Sequence, residues 1–182
     1  MMLIDIKGVP EAWPRPTFLS WIKEGKMMRR VINKKKDKSI AFRNKVMDEI
    51  KKMKKEDVRK VSKKESFPLF EDENIALTIW FCMPLPQSCF VNKKKVPHKL
   101  RGLWRKVQPC GIKSDIDNLA KFVLDALDSV LYEDDKWVVK LTCYKVWDNL
   151  PPYEGRTIIQ VEGNVDMMED FPTVLPIVTE LE

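Results

Sequence analysis

Between residues 113 and 139 the chain reads K-S-D-I-D-N-L-A-K-F-V-L-D-A-L-D-S-V-L-Y-E-D-D-K-W-V-V, and two periods within that run limit what it can become. Ile116, Leu119, Val123, Ala126, Leu127 and Val130 recur at the three-and-four spacing of a buried helix face. Asp117, Lys121, Asp125 and Asp128 recur on another face, so the same helix carries an acidic stripe. Asp117 and Asn118 stand where short acceptors cap free backbone N–H groups and where negative charge suits the helix dipole, with Asp115 on the entry segment. Residues 132–135 then read as a polar turn. Beyond it Trp137, Val139, Leu141 and Cys143 alternate with Val138, Lys140, Thr142 and Tyr144, as in a half-buried strand. Such a reversal can return Asp134 or Asp135 toward the acidic stripe.

Carboxylates brought together in this way repel. At about 4 Å and an effective dielectric near 20, each pair costs roughly 4 kcal/mol. The cluster is tolerable if its members stay solvated and apart, or if a divalent cation joins them. Magnesium and manganese favour oxygen ligands and are commonly held by a few carboxylates together with substrate phosphate. Lys121, one turn beyond Asp117, would then face the same site and offset charge developing on a phosphate. The plainer alternative is a solvated helix face on which Asp117 and Lys121 form an ordinary ion pair of about 0.2–0.5 kcal/mol. Residue chemistry leaves both open.

The ordered string D-I-D-N-L-x-K, then D-A-L, then D-D before an apolar strand, resembles the RusA family of Holliday junction resolvases, many of them phage-encoded. The resemblance implies that Asp115, Asp117 and Asp135 are catalytic and metal-binding, and that Lys121 is the catalytic lysine. Asp125 and Asp134 also fall on acidic positions of the motif. Ser114 departs from it, standing where relatives often carry proline or a basic residue, although Lys113 just before it supplies positive charge.

At 182 residues and 44% hydrophobic content, the chain is long enough for one domain with a real core. No apolar run approaches the roughly 20 residues needed to span a bilayer, and the N-terminus lacks a signal-peptide pattern. The expectation is a soluble protein with no membrane partner, in the cytoplasm of a bacterial or phage-infected cell. Cys82, Cys89, Cys110 and Cys143 lack the paired spacing of structural zinc sites and read as reduced, mostly buried thiols. His98 is the sole histidine, so a nucleophilic triad would rest on it alone, and no Gly-rich phosphate loop is present.

The net charge of +6 is unevenly spread. Beyond Gly163 the chain carries five carboxylates and no Lys or Arg, a contribution of −5, so the preceding part stands at +11. A body that basic suggests an anionic polymer partner, with nucleic acid first. Taken in order, Leu3, Ile4 and Ile6 suit a short strand, and Pro10, Pro14 and Pro16 interrupt regular structure around Arg15. Residues 21–32 suit a hairpin turning near Gly25 and ending in Arg29, Arg30, Val31 and Ile32. Ile40, Phe42, Val46, Met47, Ile50, Met53 and Val58 predict one amphipathic helix over residues 39–61 with a lysine-rich outer face. Residues 74–83 read as a buried strand. A long loop then carries Lys93, Lys94, Lys95, His98, Lys99, Arg101, Arg105 and Lys106 into the acidic motif. There Trp104 either stacks on an unpaired base or anchors the loop to the core. Residues 156–161 supply a last strand candidate.

These elements predict a single compact α+β domain, RusA-like, over residues 1–163, in which a mixed β-sheet packs against two main helices. Residues 164–182 form an acidic tail. By the resemblance, the protein is a metal-dependent endonuclease that resolves four-way branched DNA by paired phosphodiester hydrolysis as a homodimer, using magnesium or manganese. The expected DNA contacts are Arg15, Arg29, Lys93, Lys94, Lys95, Lys99, Arg101, Lys113 and Lys145. The alternative is a catalytically inactive junction- or DNA-binding protein.

Overall fold

The computed structural model describes residues 1–13, 17–23, 26–32, 36–59, 62, 66–91, 99–112 and 114–165. Strand β1 (Met2–Lys7) alternates strictly, burying Met2, Ile4 and Ile6. A hairpin follows, β2 (Thr17–Lys23) paired with β3 (Lys26–Ile32), beginning earlier than the pattern at 21–32 predicts. Helix α1 (Lys36–Lys52) buries Ser39, Phe42, Val46 and Ile50 along one face.

The expected helix over 39–61 is two helices. After Ile50 the ladder tightens, with Met53 N–H donating to Ile50 O, and the chain restarts as α2 (Lys55–Arg59). The break turns Val58 into the core, which a continuing straight helix would not need. Ile40, assigned to the buried face, is 44% exposed, because it lies outside the 39-42-46-50 stripe.

Strand β4 (Ile75–Met83) is apolar almost throughout because it lies inside the sheet, antiparallel to β6 (Arg156–Gly163) on one side and parallel to β5 (Val138–Trp147) on the other. With β1 on the far edge the order is β1-β6-β4-β5. Helix α3 (Ile116–Leu127) occupies the crossover between the parallel strands, as such a connection requires. The helices cover one face of this sheet. Phe42 on α1 meets Phe122 on α3 edge-on at 5.6 Å, above Leu77, Ile79 and Phe81 of β4 and Ile159 and Val161 of β6. The sequence expectation of one α+β domain with a mixed sheet and two main helices therefore holds, with the β2–β3 hairpin as a separate two-stranded sheet.

Several local expectations change. Ile116 is 39% exposed rather than buried, since it opens α3 before the helix reaches the sheet, and Ala120 and Phe122 widen the buried arc instead. The cap position is Asp115, not Asp117 or Asn118, and its side chain makes no capping bond. Tyr132 is no polar turn residue but is fully buried, its hydroxyl donating to Leu124 O at 3.1 Å. Burial, and the carboxylates of Asp135, Asp128 and Asp125 nearby, push its pKa up, so it remains a donor. Tyr132→Phe should therefore cost about 0.5–1.5 kcal/mol in urea unfolding, the net worth of one such bond. Trp137 closes a short 3-10 turn, Asp135–Trp137, before β5 begins.

The described parts of the long loop after β4, residues 84–91 and 99–112, pack on a core of their own. Met83, Leu85, Cys89, Phe90, Leu100, Cys110 and Trp147 form a second apolar cluster, on which Trp104 and Tyr153 pack. Half-buried Trp104 meets Trp147 edge-on at 6.2 Å and so joins its segment to this cluster. All four cysteines are free; burial lifts Cys82 to about 11, which keeps it a neutral thiol. Val165 N–H donates to Asn74 O, tying the residues just past β6 to the domain. Among the described residues no helix is long and apolar enough to cross a membrane.

Candidate active site

The site is built on α3. Lys145 near the end of β5 donates through its ammonium to Ser114 O at 2.8 Å, and Trp13 N–H donates to Asn118 O at 2.9 Å, so both β5 and the segment after β1 fix the helix entry. Asp115 and Asp117 are exposed at that end. The outward stripe then passes through Lys121 and Asp125, which pair at 3.7 Å, and reaches Asp128 just past the helix. Lys121 thus pairs toward the C-terminal side rather than with Asp117. At 1.5 Å per residue the ten steps from Asp117 to Leu127 span about 15 Å.

At the far end lies an open cleft of about 390 Å³, lined by Leu124, Asp125, Asp128, Glu133, Asp134 and Asp135. Five carboxylates meet there at a helix C-terminus, where backbone carbonyls already contribute negative potential. Arg43 of α1 offsets part of it from behind, donating to Ala126 O at 3.2 Å and Asp125 O at 3.3 Å. Asp134 accepts the Lys136 N–H at 3.0 Å, and that bond holds its pKa below the usual carboxylate value. Asp128 Oδ1 is buried with no hydrogen-bond partner. Asp128 and Glu133 were not singled out as site residues from the sequence; the signal for Asp128 was its place on the acidic stripe, while nothing in the linear pattern marked Glu133.

Of the residues expected to act together, α3 brings Asp115, Asp117 and Lys121 onto neighbouring turns, while Asp135 lies with the last turn of the helix. Among the described residues no three His, Cys, Asp or Glu side chains lie close enough to hold one ion between them. The donor chemistry nonetheless fits a hard divalent cation: the donors are carboxylate oxygens throughout, and one of them is orphaned. Magnesium needs only one or two protein carboxylates when substrate phosphate and water complete its shell.

Among the expected DNA contacts, Lys99 and Arg101 are exposed on the segment opposite Phe90, where Val91 N–H donates to Lys99 O and Arg101 N–H to Cys89 O. Lys145 uses one ammonium N–H to brace α3. Arg29 lies in β3 opposite Ser20. Arg15, Lys93, Lys94, Lys95 and Lys113, like His98, lie outside the described residues.

Two comparisons bear on this arrangement. An 80-residue stretch is 34% identical to the uncharacterized protein YqaN of Bacillus subtilis (strain 168), covering 44% of this chain and 54% of that protein, so the match spans about half the relative's length. The family model described as Endodeoxyribonuclease RusA matches residues 20–162, which takes in most of the hairpin, both main helices, the acidic stripe, the cleft and nearly all of β6. The chain therefore belongs to the RusA endodeoxyribonuclease family.

Proposed function

We propose that the protein is a divalent-metal-dependent endonuclease that resolves four-way DNA junctions by paired phosphodiester hydrolysis. The observation that carries this reading is the exposed row Asp115, Asp117 and Lys121 at one end of α3, within the segment matched by the family. Asp115 and Asp117, together at the start of α3, would hold a magnesium ion whose shell phosphate and water complete, with manganese as a substitute; Asp135, the third ligand that the resemblance names, lies with the last turn of the helix and would have to be brought to that ion. A bound ion supplies an activated water and neutralises charge on the attacking and leaving oxygens. Lys121, exposed beside these carboxylates, holds the phosphate in place and offsets its growing charge. Lys99, Arg101 and the lysines of α1 supply a phosphate-binding field.

Two nicks on opposed strands require two sites, and we assign them to a homodimer. The sheet face away from the helices supports that state. There Ile158, Trp80 and Tyr144 are register neighbours across β6, β4 and β5, and Trp80 and Tyr144 stack at 5.7 Å on the face opposite the described helices.

The test compares a labelled four-way junction with a linear duplex of the same sequence. Symmetric nicks in the junction alone, lost on chelation and restored by magnesium, are the expected result on a denaturing gel. Tight junction binding without nicking in magnesium or manganese would instead establish a DNA-binding protein that no longer hydrolyses its ligand.

A further inference from the structure

The β2–β3 hairpin takes no part in the chemistry above, and its composition calls for a partner. An isolated two-stranded hairpin is marginally stable in water. This one forms a sheet of its own, without ladder bonds to the four-stranded sheet. Its register sets Trp21 opposite Met28, Ile22 opposite Met27, and Lys23 opposite Lys26. Opposed residues share a face and successive pairs alternate. One face therefore carries Trp21 and Met28, at 43% and 45% exposure, and the other carries Ile22 and Met27, at 75% and 65%. Apolar surface is thus presented on both sides of the ribbon near its turn, immediately before a pair of exposed lysines.

Charge selects among possible occupants. The strands T-F-L-S-W-I-K and K-M-M-R-R-V-I contain two lysines and two arginines, and the connection between them adds one carboxylate, Glu24, so residues 17–32 carry a net charge of +3. Pairing this ribbon with the same ribbon of a second copy would bring those cations together, whereas a polyanion attracts them. Shape agrees: a two-stranded ribbon fits the roughly 12 Å major groove of duplex DNA, and seven extended residues reach about 23 Å.

Resting on the nuclease reading, we propose that the β2–β3 hairpin is a DNA-gripping ribbon laid into the groove of a duplex arm. Ile22 and Met27 press on base edges and sugars, while Lys23 and Lys26 contact the phosphates that border the groove. The two pairs leave different signatures. Removing apolar contact weakens binding at every ionic strength, whereas removing phosphate contact flattens the dependence of affinity on salt.

The experiment is anisotropy binding to a four-way junction over a salt series, using the full chain. Ile22→Ser/Met27→Ser should weaken binding at least tenfold with an unchanged salt slope. Lys23→Ala/Lys26→Ala should lower that slope by about two. Thermal unfolding and light scattering accompany each variant, so that a folding defect or a change of mass is seen directly. Wild-type affinity and slope in both variants would overturn the assignment, as would conversion of a dimer to monomers by the Ile22/Met27 change, which would make the ribbon a protein interface. If the wild type binds no junction at all, the nuclease reading itself fails. If wild-type binding survives both variants, only the ribbon assignment does.

Discussion

Asp117→Asn protein is expected to bind a four-way junction about as tightly as the wild type and to nick it at least a thousandfold more slowly. The two expectations separate because Asp117 is exposed in the first turn of α3 and supports no core packing. Asparagine keeps its shape and its tolerance for a helix start, and removes one charge. Losing the interaction with the helix dipole costs only about 0.3–1 kcal/mol. On the proposed mechanism the change also removes a ligand of the ion that activates water, and with it stabilisation present in the transition state; a thousandfold corresponds to about 4 kcal/mol. Single-turnover nicking at saturating protein, beside equilibrium binding, reads both quantities. Equal losses in the two assays would make Asp117 a structural residue and remove the N-terminal end of α3 from the active site.

The largest effect on stability is expected at Arg156. Its side chain is buried where β6 begins and gathers four partners: Asp148 at 3.1 Å, Asp5 at 3.2 Å, and the carbonyls of Leu150 and Pro151 at 3.1 and 2.9 Å. Asp148, 1% exposed, also accepts the backbone N–H groups of Leu150 and Gly155. Arg156→Met would leave the buried Asp148 carboxylate without its cation, held by the Leu150 and Gly155 N–H groups alone. Breaking one half of a buried pair in this way costs about 3–5 kcal/mol. Urea unfolding should show that loss, and the Arg156→Met/Asp148→Asn double variant should lose less than the sum of the singles, with a coupling of about 0.5–3 kcal/mol. Additive losses would mean that the two side chains contribute independently.

Periodicity made the scaffold legible. The continuous apolar run of β4, eight of its nine residues, and the 119-123-126-127 stripe of α3 each report burial through the linear pattern alone. Ile40 and Ile116 escaped it, the first because it lies off the 39-42-46-50 stripe and the second because it opens its helix. The break at Met53 was invisible because lysine-rich sequence has good helix propensity on both sides of it, and only the packing of Val58 shows where the chain must turn. The acidic stripe was likewise readable from the four-residue repeat, whereas its continuation into the 133–135 cleft depends on how a five-residue turn closes over buried Tyr132. No linear pattern encodes that closure. Trp104 shows the same limit: an aromatic among cations suits DNA or core equally, and its contact with Trp147 joins residues far apart in the chain.

The sheet order has a consequence for how the chain is made. β1 pairs only with β6, and Met2 lies opposite Val161. β1 therefore waits for the synthesis of β6 before its backbone finds a ladder. At 5–20 residues per second the interval is roughly 8 to 30 seconds, during which Met2, Ile4 and Ile6 stay uncovered by their native neighbour. The parallel β4–β5 pair and α3 precede β6 by a short connection, β5 ending at Trp147 and β6 beginning at Arg156, so the helix-and-strand unit is made just before β6 arrives between β4 and β1.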